Sequence, residues 1–130
     1  MIENLSTEVL EAVLNTLPVE ISFVDGDDIV RYFNKNGDRI FPRPRNVIGR
    51  RVQDCHPKKS LHVVTRLLNE MKENKRDVAE FWINLKDRKI FIRYFAVRAE
   101  NGKYLGCLEA TQDVTDLKKI EGESRLLDLK

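Results

Sequence analysis

Apolar positions Leu5, Val9, Leu10, Val13, Leu14 and Leu17 recur at helical spacing in the stretch LSTEVLEAVLNTLP. With Ser6 or Thr7 to cap it and Pro18 to stop it, this stretch predicts a short amphipathic helix. The period then drops to two. Ile21 to Val24 and Ile29 to Phe33 read as strands around Asp25-Gly26-Asp27-Asp28, a turn that closes a hairpin. From Lys35 to Pro57 the pattern is broken by Gly37, Pro42, Pro44 and Gly49, which predicts loops and small helical turns, the kind of segment that walls a site. After Pro57, a good first helical residue, Leu61, Val64, Leu67, Leu68 and Met71 form one stripe through Lys72, the strongest helical signal of the chain. Asp77 to Leu85, Lys89 to Val97 and Tyr104 to Val114 are rich in Phe, Ile, Tyr, Val and Trp. Lys86-Asp87-Arg88 and Glu100-Asn101-Gly102 supply turns, so three successive antiparallel strands are expected. In the tail from Asp116 to Lys130, charge alternates with Leu117, Ile120, Leu126 and Leu127, a pattern compatible with a helix leaving the domain.

These 130 residues, 42% hydrophobic and 34% charged, suit one compact domain with a moderate core. The expected organisation is a helix over 1–18, the domain proper over 19–115 and an output helix or tail over 116–130. The 23 Lys+Arg against 21 Asp+Glu give no overall bias toward nucleic acid. The bias is local: Arg43, Arg45, Arg50, Arg51, Lys58 and Lys59 face Asp54 alone between Pro42 and Lys59. Two distant cysteines and no basic-then-apolar leader predict a reduced, cytoplasmic protein. No apolar run is long enough to span a bilayer, so no membrane insertion is expected.

The element order, an α+β arrangement of a five-stranded antiparallel sheet flanked by short helices on one face with helices at both ends, resembles a PAS sensor domain. Tyr32-Phe33-Asn34, Val47-Ile48-Gly49-Arg50, Tyr104-Leu105-Gly106 and Thr111-Gln112-Asp113-Val114-Thr115 carry the resemblance. The last is similar to the Asp-[Ile/Val]-Thr element that joins the final strand of PAS domains to an output helix. Phe41-Pro42-Arg43-Pro44-Arg45, Cys55-His56-Pro57, Glu80-Phe81-Trp82-Ile83 and Glu121 to Asp128 are more closely similar to PAS-like domains that accompany hemerythrin-type domains. Two histidines cannot build a diiron centre, so no iron function is inherited with that likeness. The resemblance implies a non-enzymatic sensory module, homodimeric through its N-terminal helix and outer sheet face. It also implies a small ligand or protein partner, and an output domain reached through Asp113-Val114-Thr115.

Candidate chemistry concentrates in Arg51 to His62, which holds both histidines and Cys55. With Leu61 at zero and about 100° per residue, the apolar stripe centres near about 290° and His62 at about 100°, so His62 faces away from the core. His56, just before Pro57, can turn inward as a haem ligand or cap the helix start. Asp54, Cys55 and His56 are consecutive and point in different directions, unlike a zinc site. Cys55 beside His56 has the residue types of a thiol nucleophile and base, but no third orienting group, so an enzyme is not expected. Photosensory PAS domains share an Asn-Cys-Arg-Phe-Leu-Gln run; Gln53 to Lys58 matches it only at the cysteine, which argues against a light-driven adduct and leaves non-covalent flavin open. Guanidinium forks from Arg43, Arg45, Arg50 and Arg51 suit a carboxylate or phosphate, although a solvated loop or pairing with the acidic strands is the simpler reading.

On the strands, Phe81 and Ile83 oppose Trp82 and Asn84, and Ile90, Ile92, Tyr94 and Ala96 oppose Phe91, Arg93, Phe95 and Val97. Both faces are apolar enough to need cover. The candidate ligand-binding residues are therefore His56, Arg45, Trp82, Asn84, Arg93 and Tyr94, with alternation leaving open which face lines a cavity.

Overall fold

A computed structural model describes residues 1–35 and 37–130. Ser6 caps the first helix, α1 (Thr7–Thr16), its hydroxyl accepting the Val9 N–H at 3.1 Å. Two strands follow, β1 (Glu20–Asp25) and β2 (Val30–Phe33). Their connection is held by Asp25, whose Oδ1 accepts the N–H groups of Asp27 (2.8 Å) and Ile29 (3.1 Å), the local bonding that makes Asp a turn former. Asn34 ties α1 to this hairpin. Its buried amide donates to the carbonyls of Leu14 (2.8 Å) and Val19 (3.1 Å) and accepts from the Ile21 N–H (2.7 Å).

The glycine- and proline-broken segment yields a 3-10 turn, Arg45–Val47, and a one-turn helix, α2 (Val52–Cys55). It is stitched to the hairpin by Val30 N–H to Arg50 O (2.9 Å) and Gly49 N–H to Val30 O (2.8 Å). The long helix, α3 (Leu61–Lys72), does not begin at Pro57: a 3-10 turn, Lys58–Ser60, intervenes. Strands β3 (Val78–Leu85), β4 (Arg88–Arg98) and β5 (Tyr104–Asp113) complete a five-stranded antiparallel sheet in the order β2-β1-β5-β4-β3. Arg88, expected in the turn, already pairs with Leu85. The loop is only Lys86-Asp87, both at positive φ (48° and 63°), the two-residue geometry whose twist matches that of the strands.

Gly106 in β5 pairs with Asp25 of β1. A Cβ there would collide with the Val24 carbonyl oxygen and lie 2.6 Å from the Phe23 ring. The core, centred on Leu68, Met71 and Cys107, lies between the sheet and α3. Over 116–130 the chain takes the tail alternative, two 3-10 turns, Leu117–Lys119 and Leu126–Asp128, and not a regular helix. The tail's leucines and Ile120 are exposed, so no packed apolar face repays helix nucleation there.

Candidate ligand cavity

The concave sheet face, α3 and the segment 41–57 enclose a cavity of about 460 Å³. Most of its wall is apolar. The stripe of α3 contributes Val64, Leu67, Leu68 and Met71, and β1 and β2 contribute Val24 and Val30. His62 lies on the opposite, exposed side of α3, as its helical angle requires.

One end of the cavity is polar. Strand pairing places Tyr94 directly opposite Glu109, and Arg43 reaches in from the loop to put Nη2 2.7 Å from Glu109 Oε1. Burial, followed by the facing Glu109 carboxylate, pushes the Tyr94 hydroxyl well above the usual phenol range, so it stays protonated. Burial also lifts the Cys107 thiol to about 12, which keeps it an inert, uncharged wall group. His56 lines the same end, its Nε2 hydrogen-bonded to Ser60 Oγ at 2.7 Å. Burial lowers its pKa, so the imidazole is neutral at pH 7.

A second ion pair supports the first from behind. Arg39 Nη2 lies 3.7 Å from Glu20 Oε1, and both side chains are almost fully buried, at 2% and 6% exposure. Glu20 also accepts the backbone N–H groups of Ile40 and Phe41, the latter at 3.3 Å, while Arg39 donates to the carbonyls of Phe41 and Asn34. This lattice fixes the start of the loop that delivers Arg43.

Of the six candidate residues, the fold brings His56 and Tyr94 together at the cavity. It does not bring the other four. Arg45 is exposed beside Glu11, Asn15 and Tyr32, in a separate depression. Trp82, Asn84 and Arg93 occupy the outer face, because they share the alternation of Phe91, which is opposite to that of Tyr94. Arg93 spreads over the Phe91 and Phe95 rings there, at 4.9 and 5.4 Å. Sequence reasoning passed over Glu20, Arg39 and Glu109 and took Arg43 only as one of a basic cluster. The available signal was a glutamate inside each of two strands, Glu20 in β1 and Glu109 in β5, since buried carboxylates require partners.

The geometry also bears on the alternative chemistries. Cys55 Sγ hydrogen-bonds the Arg51 carbonyl (3.4 Å) and His56 bonds Ser60, so the two do not form a nucleophile–base pair. Haem does not fit these residues: His56 Nε2 is hydrogen-bonded to Ser60, and the Arg43 cation at the polar end is already paired with Glu109. Among the described residues, no three His, Cys, Asp or Glu side chains are grouped to hold a metal ion. Nor is any helix among them long and apolar enough to cross a membrane.

The end of β5 forms a compact junction. Asp113 Oδ2 accepts from Arg88 Nε (2.7 Å), its Oδ1 accepts the Thr115 N–H (3.0 Å) and hydroxyl (2.7 Å), and Thr115 Oγ1 accepts the Lys89 N–H (2.7 Å). Arg88 and Thr115 together draw the Asp113 carboxyl down to about 2.

A C-terminal domain from Streptococcus mutans shares this fold, with TM-score 0.84 and 33% identity over 90% of this chain and 91% of that one. The PAS domain from Bordetella pertussis BvgS superposes with TM-score 0.60 at 14% identity, covering 86% and 96% of the two chains. A sensory box sensor histidine kinase from Vibrio cholerae does so with TM-score 0.57 at 15% identity, covering 83% and 90%. No curated protein matches the sequence. The PAS domain family model matches residues 10–115, and with the sheet order, the walled cavity and the Asp113–Thr115 junction in place, the chain belongs to the PAS domain family.

Proposed function

We propose that the chain is a non-enzymatic sensory module that takes a small ligand into this cavity and transmits its presence through β5 to whatever follows the Asp113–Thr115 junction. The observation that carries the reading is that Glu109 and Asp113 lie on one face of one strand, four residues apart, about 14 Å along β5. The middle of that strand is gripped by cavity groups and its end by Arg88 and Thr115. A ligand shifts such a system only by binding two arrangements of it unequally. Ligand contacts added to Arg43 and Glu109 in one arrangement and not the other supply that inequality, and the output domain lies elsewhere. The free thiols Cys55 and Cys107 support a cytoplasmic location.

Native mass spectrometry on protein purified without denaturation, paired with hydrogen exchange, tests this. A small-molecule adduct that disappears in Val64→Trp, together with ligand-dependent exchange at residues 113–119, is the expected result. An adduct that leaves exchange there unchanged refutes the transmission step, and an adduct indifferent to filling the cavity refutes the site.

A homodimer is the second part of the proposal. The outer face leaves Trp82 64% exposed beside Phe91, and α1 leaves Val9 and Val13 open. A second copy covering these apolar surfaces accounts for both.

A further inference from the structure

The polar end of the cavity carries a specific chemical demand, and the argument rests on the cavity being the ligand site. Arg43 spends Nη2 on Glu109, yet its Nε is buried with no hydrogen-bond partner. A guanidinium carries five donors, so Arg43 keeps further N–H groups for an acceptor arriving with the ligand. Beside it stands the Glu109 carboxylate, which has more acceptor sites than Arg43 Nη2 and the Tyr94 hydroxyl consume. The charges at this end sum to zero: Arg43 cancels Glu109, Tyr94 is a protonated phenol and His56 a neutral imidazole. The supporting pair behind them, Arg39 with Glu20, also cancels.

We infer that the cavity selects a neutral ligand with an apolar body and an adjacent acceptor–donor edge, of the carboxamide or lactam type. Its carbonyl accepts from the Arg43 guanidinium and its N–H donates to Glu109. An anion of the same shape would meet the Glu109 carboxylate, and a cation would meet Arg43; either must disturb a partly buried ion pair to bind. The apolar body packs on Val64, Leu67 and Leu68.

Three probes with one indole body separate the cases: indole-3-acetamide, indole-3-acetate and tryptamine, titrated calorimetrically at pH 7.5 into the full chain. The acetamide is expected to bind at least about tenfold more tightly than either ion, as a site with paired buried polar groups discriminates. Glu109→Gln removes the negative member and is expected to turn the preference toward the acetate. Val64→Trp, with Leu67→Trp as a second cavity-filling variant, is expected to abolish binding of all three while melting cooperatively. Equal or tighter binding of acetate or tryptamine to the natural sequence overturns the inference, as does a preference unchanged by Glu109→Gln. Nile red serves as an uncharged apolar reporter. If it binds and is displaced by Val64→Trp while no indole probe binds, the acceptor–donor class is wrong and the cavity reading stands. If Nile red does not bind either, both fall.

Discussion

Removing the Glu20 carboxylate tests whether the buried lattice behind the cavity is what holds the loop that carries Arg43. In Glu20→Ala, the Ile40 and Phe41 N–H groups lose a charged acceptor, and Arg39, 2% exposed, is left without its counter-ion. Breaking one side of a buried pair costs about 3–5 kcal/mol, because the surviving charge stays desolvated. Arg39 keeps hydrogen bonds to the Asn34 and Phe41 carbonyls, which places the expected loss near the lower end, about 3 kcal/mol. Against a total stability of about 5–15 kcal/mol, that is a large fraction, readable as a lowered urea midpoint at unchanged m-value. Arg39→Met replaces the cation with a side chain of similar length, and the double variant should lose less than the two single losses added, by about 1–3 kcal/mol. Because the lattice positions Arg43, Glu20→Ala should also weaken indole-3-acetamide in the folded fraction. A Glu20→Ala loss under about 1 kcal/mol, or strict additivity with Arg39→Met, would refute the reasoning.

Gly106→Ala places a methyl against the Val24 carbonyl and the Phe23 ring and should destabilise by about 1–3 kcal/mol in urea unfolding; a neutral result means that β1 and β5 are not so closely apposed. Stability should vary with pH in two separate windows. Burial lowers the His56 pKa below its unfolded value near 6.5, so the unfolded chain binds more protons and stability falls as pH drops through that value; His56→Gln should flatten this limb. Asp113, held at about 2 against an ordinary 3.8, contributes stability that is present above its unfolded pKa and lost as pH falls from about 4 toward 2, and Asp113→Asn should remove that dependence. Trp82→Glu should shift light-scattering mass from twice the 15.2 kDa chain toward the monomer, and an unchanged mass would exclude the outer face as the interface.

The periodicities of the chain determined its elements. Period-two runs became β1 to β5 within a residue or two, and the stripe from Leu61 to Met71 became α3 with His62 turned outward, because local geometry dictates which residues share a face. Boundaries shifted where backbone chemistry outweighed pattern: Arg88 joined β4 because a two-residue loop matches strand twist, and the tail stayed in 3-10 turns for want of a surface to pack on. Alternation divides a strand into two faces but carries no information about which one a helix will cover. That is why Tyr94 reached the cavity while Trp82, Asn84 and Arg93 did not, and only the docking of α3 decided it. Arg45 and Arg43 looked alike in sequence, two residues apart in a proline-broken loop. Arg43 was singled out by Glu109, 66 residues away, and Glu20 with Arg39 by a fold that desolvates both. Residue types and local order were written in the chain; the partners that give a charged side chain its role exist only once long-range strand pairing has brought them within hydrogen-bonding distance.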